Sequence, residues 1–211
     1  MTPMPFAIRA CAQDPVPMAT APATGEPVYR KLMPFARTAY ADHLKRLSPQ
    51  DRYARFTGAV TDATIDAHAA QQDRGRSRVL GAFVAGVLRG AVEISFDRIL
   101  WPDNAELAVS VEAGFQNQGI GRELLRRGIV LARNRGAQHI HMLCLRSNRR
   151  MLALARTFQG QVAVEGQEAT SAIVLDQPDP LSFMQEILDD GTGAFATWIE
   201  QLRPVPPRLA A

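Results

Sequence analysis

The stretch at residues 115–122, FQNQGIGR, constrains this chain more than any other. It follows an apolar, β-branched run, AELAVSVEAG, and opens a strongly helical one, ELLRRGIVLARNRG. A strand therefore hands over to a helix through a loop of two glycines, three amides and an arginine. The N–H groups of a first helical turn have no partner inside the helix. In a structural turn they face water; in a functional loop they face an anion. Glycine lets backbone approach closely, and a helix N-terminus supplies unpaired donors and partial positive charge. Arg122 adds a full charge. The spacing does not fit the dinucleotide fingerprint, because Gly114 is not at its first-glycine position. It does not fit a P-loop either, because no Gly-Lys-Ser/Thr follows.

The rest of the chain supplies the setting. Residues 28–32 make a short strand. Residues 33–47 carry apolar residues at helical spacing and stop at Ser48-Pro49. Residues 48–72 read as one or two helices, with Ser48 capping the first and Thr61 or Asp62 the second. Residues 78–86 and 87–97 form adjacent strands with a turn near Gly86, and 105–112 is a further strand. The helix at 122–135 stops at Gly136. A strand at 139–147, a helix starting at Asn148, a last strand at 167–177 and one or two short helices at 179–202 complete the order. Strands cluster first and then alternate with helices, which implies an α+β protein, a mixed sheet with helices on both faces. With 211 residues, 46% of them hydrophobic, the chain has material for one large domain. Residues 1–26, rich in Pro, Ala and Thr, read as a flexible arm, 27–178 as the domain and 179–211 as a helical extension.

The loop also fits Gln-x-x-Gly-x-Gly, filled by Gln116, Gly119 and Gly121. This resembles the pyrophosphate-binding motif of the GNAT acetyltransferase superfamily. The resemblance extends over residues 79–174, and LSPQDRYARFTGAV at 47–60 is similar to the first helical region of bacterial protein-lysine acetyltransferases. It implies a central, mostly antiparallel sheet with one splayed pair of parallel strands, and acetyl-CoA as donor. Gln116, Asn117, Gln118, Gly119, Ile120, Gly121 and Arg122 would hold the diphosphate. The backbone of Val109, Ser110 and Val111 would meet the pantetheine and thioester. Asn148 would contact the pantetheine arm, cap its helix, or both. Arg149 and Arg150 form either a solvated helix face or a contact to the 3′-phosphate of CoA.

Amide N–H groups freed by a splayed strand can stabilise the oxyanion of acyl transfer. The amine must also lose a proton, since lysine is uncharged in only about one molecule in a few thousand at neutral pH. A carboxylate, acting directly or through water, is the usual base. Glu106 matches a position where some members of the superfamily carry a catalytic glutamate. Strand alternation puts it on the less apolar face with Ala108 and Ser110, opposite Leu107, Val109 and Val111. Glu93 and Glu112 are weaker candidates. The tyrosine that many members use to protonate the thiolate is replaced by Ala155, and the usual Gly-Phe by Gln159-Gly160. The resemblance thus implies an N-acetyltransferase acting on a primary amine, a protein lysine ahead of a small molecule. A non-catalytic acetyl-CoA-binding regulatory module stands as the alternative of another class.

A net charge of +3 with scattered arginines does not point to nucleic acid. Apolar runs are far short of a membrane span, and the first residues lack signal-peptide features. Cys11 and Cys144 are too few for a disulfide framework and suggest a cytoplasmic setting. His139 and His141 share a strand face but have no acidic or cysteine partner at ligand spacing, so no metal is expected. Cys144 reads as a small buried apolar residue, and His43 and His68 as surface helix residues. Leu181, Phe183, Met184, Ile187, Leu188, Phe195, Trp198, Ile199 and Leu202 either pack on the core or form a homodimer contact.

Overall fold

The structure is a computed structural model that describes residues 25–71 and 75–202, the side chains of 34 and 192–202 excepted. The arm at 1–26 falls almost entirely outside them. Thirteen principal elements follow in order: β1 (Val28–Lys31), α1 (Arg37–Arg46), α2 (Pro49–Phe56), α3 (Asp62–Ala70), β2 (Ser77–Val84), β3 (Val87–Phe96), β4 (Asn104–Val111), α4 (Ile120–Asn134), β5 (His139–Leu145), α5 (Arg149–Thr157), β6 (Gln161–Glu165), β7 (Glu168–Val174) and α6 (Pro180–Leu202).

The local chemistry explains the starts. Ser48 caps α2 by accepting from the Asp51 amide, with Pro49 at the first helical position. Thr61 caps α3 by accepting from the Thr64 amide, and Asn148 caps α5 by accepting from the Met151 amide. The β2–β3 hairpin turns through Ala85 and Gly86, both at positive φ. One strand, β6, is additional to the sequence reading, and the one or two short helices expected near the C-terminus are a single long one, Pro180–Leu202.

The seven strands run in the order β1-β2-β3-β4-β5-β7-β6. Every neighbouring pair is antiparallel except β4 and β5. That parallel pair is joined only over 104–106 against 139–141; β4 continues to Val111 and β5 to Leu145 without pairing to each other. The sheet thus opens into a V. Helices cover both faces. On one, α4 buries Ile120, Leu124, Leu125 and Leu131 against Val92, Ile94 and Leu107. On the other, Tyr40, Leu44 and Leu47 of α1 and Ile65 of α3 pack over Val79, Phe83, Leu88 and Ala91. Gly90 of β3 permits the start of α4 to lie close: a Cβ there would stand 3.0 Å from Ile120 and 3.2 Å from Leu124.

The C-terminal helix docks in an unexpected orientation. Ser182, Glu186 and Asp189, at i, i+4 and i+7, turn inward, while Leu181, Met184, Ile187 and Leu188 face out. Lys31 pairs with Glu186 and Asp190 at 2.6 Å each, Arg126 with Asp189 at 2.9 Å and Arg133 with Asp179 at 2.8 Å. The described apolar residues of this segment therefore do not pack on the core. The side chains of Phe195, Trp198, Ile199 and Leu202 lie outside the described ones.

Candidate active site

A cleft of about 310 Å³ runs through the V. Its walls are the diverging strands (Ala108 to Val111, with Leu143 and Cys144), the loop before α4, the start of α5 and the end of α2. The sequence-proposed residues Val109, Ser110, Val111, Gln116, Asn117, Gly119, Gly121, Arg122 and Asn148 all line it.

Ladder geometry decides which backbone groups face the opening. Glu112 N–H donates to the Arg89 carbonyl at 2.9 Å, and Asp97 N–H to the Asn104 carbonyl at 3.1 Å. In an antiparallel pair such bonds alternate along the strand. With Gly90 opposite Val111, the backbone of Ala108 and Ser110 is turned to β3, and that of Leu107, Val109 and Val111 toward β5. Because β5 has already diverged, these edge groups open onto the cleft. The Val111 carbonyl accepts from Gln116 Nε2 at 2.9 Å. Val109 and Val111 thus fit a backbone role; the Ser110 backbone is turned to β3 instead.

Across the cleft, α4 begins at Ile120 with Gly119 as its cap residue at φ +83°. A side chain is strained there, which accounts for the glycine. The first-turn amides lie beside the cleft wall, and the exposed Arg122 adds positive charge. Gln116 braces this arrangement. Its Nε2 holds the end of β4, while its Oε1 accepts from Arg150 Nη1 at 2.5 Å. Two of the proposed loop residues do not line the cleft. Ile120 is buried in the core, and Gln118 donates to the Gly114 carbonyl at 3.0 Å. Asn148 has its capping role and also borders the cleft.

The carboxylates separate into three environments. Glu106 is exposed on β4, at the last register pair before the strands diverge, opposite His141. It does not line the cleft itself, although Arg55, which does, lies within its field. Glu93 is buried, accepting from Tyr40 Oη at 2.9 Å and engaging His68 Nε2 at 2.8 Å and Arg55. Burial pushes the Tyr40 phenol up. Glu112 is buried with His43 Nδ1 at 3.2 Å, Arg46 Nε at 2.9 Å and Arg89 Nη1 at 2.8 Å. Burial raises its pKa, but hydrogen bonds from His43, Arg89 and Arg46 outweigh that and hold it below the ordinary value.

The reading of His43 and His68 as surface residues is corrected. His43 is wholly buried, with Nε2 2.9 Å from Ser110 Oγ, and His68 is half-buried against Glu93. The signal was present: Tyr40, His43, Leu44 and Leu47 fall on one helical stripe. Arg55, Asp51, Leu143, Met151 and Leu154 also line the cleft without having been singled out. Cys144 is buried, and burial raises its thiol pKa. Ala155 is buried, its carbonyl accepting from the Gly160 amide at 3.0 Å. Among the described residues there is no group of three or more His, Cys, Asp or Glu able to hold a metal, and no helix long and apolar enough to cross a membrane.

A sheet split between two parallel strands, with a glycine loop and helix start facing the split, defines the acyltransferase class built on the GNAT fold. The profile of the acetyltransferase (GNAT) family matches residues 42–160, more than half of the sequence, and the chain belongs to that family. Solved structures share the fold. The GNAT domain of S. lividans PAT is 19% identical, with a TM-score of 0.62, covering 70% of this chain and 89% of that one. The protein yncA from Salmonella typhimurium, solved with its cofactor acetyl-CoA, is 18% identical, with a TM-score of 0.59, covering 74% and 99%. RimL, a ribosomal L7/L12 alpha-N-protein acetyltransferase solved with coenzyme A, is 14% identical, with a TM-score of 0.55, covering 75% and 99%.

Proposed function

We propose that this enzyme moves the acetyl group of acetyl-CoA to a primary amine, a protein lysine, by direct attack of the amine on the thioester. One observation carries the reading. The seam-facing backbone of Val109 and Val111 and the first-turn amides of α4 border one cleft, so a diphosphate and a thioester fit it together. Amides at the helix start and Arg122 would hold the diphosphate. The Val109 and Val111 N–H groups would meet the thioester carbonyl and stabilise the oxyanion formed on it. Asn148 would border the pantetheine arm. The bound relatives yncA and RimL support acetyl-CoA as the donor, and RimL, itself a protein acetyltransferase, supports a protein acceptor.

The acceptor enters from the face carrying Glu106, Ala108 and Ser110, bounded by α2. On that face the exposed Glu106 draws in the cationic amine and takes its proton through water. Residues 27–178 form the catalytic domain, with 179–211 as an extension whose outward Leu181, Met184, Ile187 and Leu188 offer a homodimer contact. A cytoplasmic setting belongs to the same reading. The substitution of the usual tyrosine by Ala155 favours one alternative, a regulatory module that binds acetyl-CoA without turnover.

Thiol release from acetyl-CoA, measured against unfolded protein, lysine peptides and a panel of small amines, tests these readings. Release with peptides supports lysine transfer. Release only with small amines moves the acceptor to that class. Tight binding without release supports the module. Glu106→Gln lowers kcat with little change in acetyl-CoA affinity; if both parameters stay at wild-type values, the base is elsewhere.

A further inference from the structure

A second proton-accepting group reaches the cleft from the protein interior. Ser110 lines the cleft, its Oγ lies 2.9 Å from His43 Nε2, and His43 Nδ1 lies 3.2 Å from Glu112 Oε1. His43 is 0% exposed, and Ser110 and Glu112 7% each. Two elements converge here: α1 brings His43, and β4 brings Ser110 with Glu112 directly after its last residue.

The direction of each hydrogen bond follows from the partners. Arg46 and Arg89 keep Glu112 ionised, so it only accepts. His43 therefore holds its proton on Nδ1, toward Glu112, and Nε2 is an acceptor. The only donor at Nε2 among the described residues is the Ser110 hydroxyl. Having given its proton to that bond, Ser110 Oγ keeps its lone pairs for a donor in the cleft. Burial lowers the His43 pKa, against the opposing pull of Glu112, so the ring is neutral near pH 7. The charged groups facing it are Glu112, Arg46 and Arg55.

The chemistry needs such a group. An ammonium carries three protons and the product amide one, so two leave the nitrogen during transfer. Water at Glu106 accounts for the first. We propose that Ser110, His43 and Glu112 form a proton relay that takes the second proton from the nitrogen of the tetrahedral adduct and returns it to the departing thiolate. This rests on the N-acetyltransferase reading. In the forward step, an N–H bond breaks as an O–H bond forms at Ser110, whose own proton passes to His43 Nε2. Glu112 stabilises the resulting imidazolium. When the C–S bond breaks, its electron pair goes to sulfur and the transfers reverse, so CoA leaves as a thiol. Ser110 is neither acylated nor consumed. The relay also supplies the proton that the missing tyrosine at Ala155 would have given.

The test uses the full-length chain and the variants Ser110→Ala, Ser110→Thr and His43→Gln, with thiol release, CoA calorimetry and imidazole ¹⁵N NMR. Ser110→Ala is expected to lower kcat by about a hundredfold or more while CoA affinity changes by no more than about twofold. Ser110→Thr, which keeps the hydroxyl, recovers most of the rate. His43→Gln removes the acidic limb of the kcat profile. NMR of the resting wild-type protein shows a proton on Nδ1 and none on Nε2, a readout independent of activity and of variant folding. Wild-type kcat in Ser110→Ala overturns the relay alone, as does an Nε2–H tautomer. An acetyl ester trapped on Ser110 replaces it with a covalent route. A wild-type protein that binds CoA but releases thiol with no amine overturns both the relay and the transfer reading.

Discussion

Gly121→Glu separates the binding site from the fold. Gly121 is the second residue of α4 and lines the cleft. A Cβ there would stand 3.7 Å from Val111 Cγ2, 3.9 Å from Val109 Cγ1 and 4.0 Å from Leu154 Cδ2, all ordinary contacts. A side chain is therefore accommodated at its root and extends into the cleft. Replacing a helical glycine gains about 0.5–1 kcal/mol of propensity. A carboxylate in the first turn gains about 0.3–1 kcal/mol more from the helix dipole. The variant should thus unfold at or above the wild-type temperature. Its carboxylate, about 4 Å from a diphosphate charge in a medium of effective dielectric about 20, costs about 4 kcal/mol. That is roughly a thousandfold in affinity. Gly121→Gln has the same bulk without the charge, so the gap between the two variants isolates the electrostatic part. Isothermal calorimetry with CoA, beside thermal unfolding, reads both quantities. A folded Gly121→Glu protein that binds CoA within about threefold of wild type would refute the assignment of this loop as the diphosphate cradle.

Other consequences are equally concrete. Glu93→Ala leaves the Arg55 guanidinium, whose side chain is 9% exposed, without its carboxylate. Denaturant unfolding should show a loss of about 3–5 kcal/mol, and Glu93→Gln a smaller one. Gly160→Ala forces a methyl to 2.3 Å from Ser171 Oγ and 2.9 Å from the Ala155 carbonyl. Overpacking of this kind costs about 1–3 kcal/mol and should lower the melting temperature. Acid should destabilise the protein in two windows. His43 is held below its ordinary value, so beneath about pH 6.5 the unfolded chain binds protons that the folded one refuses. Glu112 is also held low, so further stability is lost below about pH 4.3 as the unfolded carboxylate protonates first. Chemical denaturation across pH measures both, and a flat profile between pH 7 and 5 would contradict the buried neutral imidazole.

Local chemistry made much of this protein readable in advance. The caps at Ser48, Thr61 and Asn148 and the glycine loop are short-range signals, and each stands where its residue type places it. β6 escaped because it is only five residues long, so Val162 and Val164 give too short an alternation to read. The relay escaped for a different reason. His43 lies 67 residues from Ser110 and 69 from Glu112. Periodicity could have buried the histidine, but it could not have named its partners. Glu106 was readable as a residue on the acceptor-side face; its exposure and its place outside the cleft wall depend on where the strands part. The register with β3 turns the Ser110 amide, expected to meet the thioester, away from the cleft and leaves its hydroxyl for the proposed relay.

The last helix inverts the usual division between grease and charge. What ties it to β1 and α4 is largely a set of half-exposed ion pairs, and such contacts weaken as counterions accumulate. Its grip on the body of the protein is therefore set by ionic strength: concentrated salt loosens the end of the chain while the oily interior of the sheet tightens.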